Sequence, residues 1–166
     1  MRYKYCPQCG EKLILKEAGD DGDTPFCNVC GHFWFDTFAD CSIILVANEF
    51  REIALLRQSY LSDKYCTFVS GYIKPGETAE ETAYREVEEE IGLKLESLEN
   101  CGTFWFPRNE ILMHGFIGYV KKAPFRLSSE VDSAEWTPAA EVKDKIFPDL
   151  PGNTAFALYK LYLNKA

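Results

Sequence analysis

GYIKPGETAEETAYREVEEEIGL, residues 71–93, decides most of what this 166-residue chain can be. Pro75-Gly76 marks residues 71–76 as a loop rich in turn formers. Thr78 followed three residues later by Glu81 reads as a capping box, so a helix starts there. Ala79, Ala83, Val87 and Ile91 recur every fourth residue and predict its buried stripe, and Gly92 is a natural C-terminal stop. At 3.6 residues per turn, Glu86, Glu89 and Glu90 fall within an arc of about 100° beside that stripe. Carboxylates crowded on one arc repel each other unless a cation neutralises them. Hard oxygen ligands of this kind suit Mg2+ or Mn2+. An acidic run is ordinarily a solvated helix face. The Gly, Arg and Glu at fixed offsets around this one argue for more than that.

Length and composition set the frame. A chain of 166 residues predicts one ordinary domain plus a small appendage. Twelve Phe, nine Tyr and three Trp, within a hydrophobic content of 46%, supply ample material for a core. The start, MRYKYCPQC, has no apolar run like that of a signal peptide, and no segment approaches the ~20 apolar residues of a membrane span. The expectation is a cytoplasmic protein with no membrane partner. A formal net charge of −8 argues against a broad nucleic-acid-binding surface. It leaves room for a phosphate-bearing small substrate, because bound divalent ions reverse the local potential.

The seven cysteines point to metal in a reducing compartment. Four of them form Cys6-x2-Cys9 and Cys27-x2-Cys30, each pair followed by glycine. Two such knuckles about 17 residues apart are a strong signal for one tetrahedral Zn2+. Four thiolates close the coordination shell, so this zinc is expected to be structural. The competing reading, a redox Cys-x2-Cys pair, is disfavoured by the matched second knuckle. KLILKEAGDDGDTPF between the knuckles predicts a hairpin with an acidic tip at Asp20 to Asp23, read as a turn because a calcium loop needs a distal Glu. Cys41, Cys66 and Cys101 read as small buried hydrophobes. His32 has no vacancy to fill beside four cysteines, and His114 reads as packed or edge-exposed.

A coarse pass supplies the other elements. CSIILVAN and EIALLRQ predict a hairpin turning at Asn48 to Arg51, and CTFVSG runs into the loop at Gly71. LKLESLENCGTFWF and ILMHGFIGYV predict two strands joined around Pro107 to Glu110. SAEWTP reads as a short strand, PAAEVKDKIF as a short helix, and PGNTAFALYKLYLN as a terminal amphipathic helix with Ala155, Leu158, Leu161 and Tyr162 on one side.

Residues 71–93 also fit G-x5-E-x7-R-E-U-x-E-E-x-G-U, with U an aliphatic residue, at all nine constrained positions. A chance match is roughly one in ten million or rarer. The segment resembles the signature of the Nudix hydrolases. That resemblance implies an α/β fold, an α/β/α sandwich with a mixed sheet over residues 39–166, preceded by an N-terminal zinc ribbon over residues 1–38. A ribbon in that place resembles the NADH pyrophosphatase branch, which cleaves NAD(H) to nicotinamide mononucleotide and AMP. Leu55 to Gln58, Ser70 to Glu77, Phe106-Pro107, Leu112-Met113 and Phe116 all echo that branch. Its diagnostic stretch reads SQPWPFPxSLM, whereas Cys101 to Met113 here read CGTFWFPRNEILM. The aromatic-Phe-Pro core is retained, the Ser-Gln-Pro opening is absent, and two extra residues separate FP from LM. FAD or ADP-ribose therefore stays an alternative substrate, beside removal of an NAD cap from RNA and a non-enzymatic nucleotide sensor.

The resemblance also implies roles. Glu86 and Glu90 ligate two or three divalent ions, with Glu89 assisting and the Gly71 carbonyl as a further ligand. Glu77 pairs with Arg85, which on this reading sits opposite the metal arc and is structural. An acid from outside the signature closes the site: Glu130, six residues before Trp136, with Asp132 and Glu135 as competitors. Tyr72, one or two of Phe104, Trp105 and Phe106, and the backbone at Ala155 would contact the dinucleotide. The resemblance favours a homodimer. Neither the general base nor the choice between Mg2+ and Mn2+ is readable.

Overall fold

The computed structural model describes residues 3–165, which divide into two units, one ending at Phe38 and the other starting at Ala39. The first is a three-stranded antiparallel sheet of β1 (Ile14–Glu17), β2 (Asp23–Cys27) and β3 (His32–Phe33). β1 and β2 form the expected hairpin, with a 3-10 turn at Gly19–Asp21 in its acidic tip. Its small core is Cys6, Leu13 and Cys27, flanked by Tyr3, Cys30 and Trp34. So little apolar burial cannot hold a sheet unaided, which is the situation in which small domains depend on a metal.

The second unit runs β4 (Ala39–Asn48), β5 (Glu52–Arg57), β6 (Val69–Tyr72), α1 (Ala79–Ile91), β7 (Ser97–Phe106), β8 (Ile111–Val120), β9 (Ser133–Pro138) and α2 (Thr154–Asn164). The sheet order is β7-β8-β4-β5-β9, with β6 also pairing β4. β4 and β8 are parallel, in register from Ala39↔Ile111 to Asn48↔Val120, while the other pairs are antiparallel, so the sheet is mixed. The hairpin from β4 to β5 closes where expected, because the Asn48 Oδ1 accepts from the amides of Phe50 and Glu52.

The period of two explains both cores. Ile43, Leu45, Ala47, Ile53, Leu55 and Ile117 pack with Leu158, Tyr159 and Tyr162 of α2. Their neighbours Ile44, Val46, Ala54, Leu56 and Phe116 pack with Ala83, Val87 and Ile91 of α1. Each sheet face thus carries a helix, which is why β4 reads as a nearly continuous apolar run and why the unit is an α/β/α sandwich.

Two details differ from the sequence reading. Gly71 and Tyr72 belong to β6, paired with Ser42 and Cys41 of β4, so the loop starts after them. β7 begins only at Ser97, since Leu93 and Leu95 are used to cover the α1 face. Residues 139–144 form a short helix as expected, of the 3-10 kind. Among the described residues no helix is long and apolar enough to cross a membrane.

Candidate metal and substrate site

The capping box closes as read: Thr78 Oγ1 accepts from the Glu81 amide at 3.1 Å and Glu81 Oε2 accepts from the Thr78 amide at 2.8 Å. At the other end Gly92 takes a left-handed conformation, φ 70°. A Cβ there would also stand 2.5 Å from the Arg126 Cβ. This helix presents its acids to β6, and Gly71 makes room for them. A Cβ on Gly71 would lie 1.9 Å from Glu86 Oε1, so the Glu86 carboxylate occupies the space a side chain would need.

Arg85 departs from the sequence reading. Its guanidinium grips Glu77 through two bonds, Nε to Oε1 at 2.7 Å and Nη2 to Oε2 at 2.9 Å, and donates to the Tyr72 carbonyl at 3.2 Å. That part braces loop against helix as expected. The same group also contacts Glu86 Oε1 at 2.5 Å and Glu89 Oε2 at 3.0 Å. It therefore lies beside the acidic arc and not opposite it. The reason is angular: residues 85 and 89 are one turn apart, about 40° round the helix. The fork on Glu77 holds that carboxyl down at about 2. Burial pushes the Glu86 carboxyl up, against the pull of Arg85.

Glu90 is the anomaly of the helix. It is 4% exposed, and its Oε2 has no hydrogen-bond partner. Its other oxygen accepts from the buried Gln58 side chain at 3.4 Å. Burial, then the charge of Glu86 and more weakly that of Glu130, lifts the Glu90 carboxyl to about 8. Buried carboxylates are ordinarily paired, and an unpaired one is costly. An orphaned carboxylate oxygen beside Glu86 on one helix face is the donor set that a hard divalent cation satisfies.

Glu130 stands exposed in a turn whose approach is fixed to the end of α1, by the Arg126 amide donating to the Ile91 carbonyl and the Ser128 amide to the Glu90 carbonyl. Its competitors are engaged elsewhere: Asp132 Oδ2 accepts from the Ser59 amide at 2.5 Å, and Glu135 pairs with Lys145 at 2.8 Å. The sequence reading missed Gln58, whose side chain donates to Glu90. Gln58 was visible only as part of LLRQ, and nothing in spacing joined it to an acid 32 positions away.

The aromatic candidates separate. Tyr72 is 59% exposed, beside Arg85. Trp105 and Phe104 line a cavity of about 400 Å3 with Gly152, Asn153 and Thr154 at the start of α2. Phe104 also packs against the α2 core and over Gly115. Phe106 is half-buried on the Phe104 side of the alternating strand. Ala155 is buried in the α2 core.

In the N-terminal unit the sulfurs of Cys6, Cys9, Cys27 and Cys30 all lie within 4.8 Å of one another. Among the described residues this is the one group of three or more metal-ligating side chains gathered so tightly; Arg85 keeps Glu86 and Glu89 to itself. The Cys30 amide points at Cys27 Sγ at 3.3 Å, and Gly10 and Gly31 turn the chain at φ 76° and 70° after each knuckle. A closed set of four sulfurs fits zinc. His32 sits on β3 outside that set, and His114 Nε2 lies 3.2 Å from Asp40 Oδ1. Cys41 and Cys66 are buried and Cys101 is half-buried.

Known proteins resemble this chain in sequence and in fold. The NUDIX domain family model matches residues 37–156. The NAD-capped RNA hydrolase NudC of Chromobacterium violaceum is 27% identical over 135 residues, covering 81% of this chain and 49% of its own. The NAD-capped RNA hydrolase NUDT12 of Homo sapiens is 29% identical over 150 residues, covering 86% of this chain and 32% of its own. The chain thus spans half or less of the length of these relatives. A NUDIX hydrolase from Nitrosomonas europaea superposes with a TM-score of 0.73 at 18% identity, over 98% of this chain and 92% of that one, which is a likeness of fold. With its signature helix, its mixed sheet and a family match over most of its length, the chain belongs to the NUDIX family.

Proposed function

We propose that this protein is a divalent-metal-dependent hydrolase of a dinucleotide diphosphate, with NAD(H), cleaved to nicotinamide mononucleotide and AMP, as its first substrate. The observation that carries the reading is the buried, partnerless Oε2 of Glu90 on the same helix face as Glu86. Glu86, Glu90 and Glu130 would hold the ions, with Glu89 and the Gly71 carbonyl as further donors. Two or three Mg2+ or Mn2+ ions, when bound, supply charge neutralisation at the diphosphate oxygens and an acidified water. The protein's own part is placement. Gly71 leaves space for Glu86, Gln58 orients Glu90, and Arg85 ties the helix to the loop after β6. A cation held by Glu90 would take the place of the proton that burial otherwise keeps there. Tyr72 and Trp105 present exposed rings suited to a base, a stack worth ~1–3 kcal/mol. Zinc on the four cysteines would hold the N-terminal ribbon (residues 1–38), leaving residues 39–166 as the hydrolase domain, in a cytoplasmic homodimer.

An NAD cap on RNA carries the same diphosphate, and both relatives named above are NAD-capped RNA hydrolases. Cap removal is therefore the second reading. The altered stretch Cys101 to Met113 keeps FAD and ADP-ribose as alternative substrates. The costly acids on α1 disfavour a pure sensor, which gains nothing from them. A product assay with Mg2+ or Mn2+ and NADH, NAD+, FAD, ADP-ribose and NAD-capped RNA tests the reading. AMP release led by NADH supports it. No turnover of any of these compounds overturns it.

A further inference from the structure

The loop between β5 and β6 is built around the acidic site, yet its most exposed aromatic has no part in the roles assigned so far. Gln58 opens this loop, 3% exposed, with its side chain on Glu90. The amides of Leu61 and Ser62 both donate to the Gln58 carbonyl, at 2.9 and 3.1 Å, and so fold residues 58–62 into a tight turn. The Ser59 amide is fixed at 2.5 Å on Asp132, two residues from Glu130. Farther along, Ser62 Oγ accepts from the amides of Lys64 and Tyr65. The turn is therefore pinned to both acidic segments, α1 through Gln58 and the 128–132 segment through Ser59. Tyr60 is its apex.

The Tyr60 side chain is 68% exposed, an unusual position for a large aromatic held by so well anchored a turn. Partial burial, followed by the charges of Glu90, Glu130, Cys41 and Glu86, pushes its pKa up. The turn that carries the phenol is tied on one side to Glu90 of α1 and on the other to Asp132, two residues from Glu130, so Tyr60 stands between the two segments whose carboxylates the proposed chemistry uses. A diphosphate entering there would be repelled by each ionised acid, and a neutral O–H donor can hydrogen-bond its oxygens without adding charge.

We propose that Tyr60 is a substrate-contacting residue whose hydroxyl donates to a non-bridging oxygen of the diphosphate, approaching from the β5–β6 loop across from the carboxylates of α1. The assignment rests on the dinucleotide-diphosphatase reading and adds a donor that the signature helix does not contain. No bond is made or broken by Tyr60 itself.

The test compares wild type, Tyr60→Phe and Tyr60→Ala in two readouts. One is kcat/KM for NADH with Mg2+. The other is the Kd of the methylene-bridged analogue of ADP-ribose, which cannot be cleaved between its phosphorus atoms. Loss of a donor to a charged oxygen predicts about a tenfold fall in kcat/KM and a similar weakening of the analogue in Tyr60→Phe. Mn2+ affinity and the thermal midpoint should stay at wild-type values, because the ring is exposed. Wild-type behaviour of Tyr60→Phe, whether or not Tyr60→Ala is impaired, overturns the donor role, since the ring alone would then suffice. A wild type that neither cleaves NADH nor binds the analogue sinks the diphosphatase reading and this assignment with it. An active wild type with an unaffected Tyr60→Phe sinks this assignment alone.

Discussion

Replacing Glu90 with Gln should stabilise the protein while destroying its metal-dependent chemistry, and the two effects have one cause. Glu90 holds its proton to about pH 8, whereas an unfolded chain releases it near 4.5. At about 1.4 kcal/mol per tenfold change in proton affinity, this corresponds to about 5 kcal/mol across the full window, of which about 3 kcal/mol has been lost by pH 7. The sign follows from linkage. The folded state binds this proton more tightly, so the contribution is complete below pH 4.5 and is lost as pH rises towards 8. Glu77 works in the opposite sense, but only below pH 4.5, and leaves the window clear. Gln has the shape of the protonated acid and nothing to ionise. In zinc-loaded protein without added Mg2+ or Mn2+, the wild-type melting temperature should fall between pH 5 and 8, by roughly 6–12 °C for ~3 kcal/mol. The Glu90→Gln variant should stay nearly flat. Adding Mg2+ at pH 8 should restore much of the wild-type loss, about 2.7 kcal/mol at a hundred times Kd, and do little for the variant, whose NADH turnover should fall by orders of magnitude. A variant that melts below wild type at pH 8 without metal, or a wild-type curve flat from pH 5 to 8, would refute the claim that Glu90 is an uncompensated buried acid.

Three further outcomes follow from particular contacts. Gly71→Ala should fold, because the obstruction to its Cβ is the movable end of Glu86, but turnover should drop about 100-fold as that carboxylate is displaced by an ångström or more; unchanged turnover would remove Glu86 from the metal assignment. In Glu77→Gln the stability that wild type holds above pH 4.5 and loses as pH falls through about 2 should be missing, so its acid melting curve should be shallower than wild type, and parallel curves would mean the Arg85 fork is not formed in solution. Cys9→Ser, or chelation of the zinc, should release one equivalent of zinc by atomic absorption and unfold residues 3–38 by amide exchange; an intact ribbon after zinc loss would end the structural-zinc reading.

What was legible in the sequence was whatever recurs at a fixed local spacing. The capping box at Thr78 and Glu81, the stripe Ala83, Val87 and Ile91, the Asn48 turn and the two cysteine knuckles are all short-range patterns, and each stands where its spacing placed it. Residues 139–144 were legible only as a short helix, because helical periodicity over six residues does not distinguish a 3-10 turn from an α-helix. The parallel pairing of β4 with β8 was hidden for another reason: their partners are about 70 residues apart, and register over that distance is set by tertiary packing. The same limit concealed Gln58, which meets Glu90 only after β5 and α1 have packed on the sheet.

Arg85 shows how a local pattern can be read correctly and still mislead. A family signature gives its arginine one partner, Glu77, yet helix geometry puts Glu89 one turn away and Glu86 next door, and the guanidinium reaches all three. Without cations the arginine is the counter-charge that lets Glu86 and Glu89 share one arc. Cations that draw Glu86 and Glu89 away would leave it the Glu77 fork and the Tyr72 carbonyl, contacts that do not compete for metal. Glu90, which Arg85 does not reach among the described contacts, has no such substitute. The helix is therefore tolerably neutralised at one end of its arc and frustrated at the other, and that asymmetry is why a substitution at Glu90, rather than at Glu86 or Glu89, separates the stability of this fold most cleanly from its chemistry.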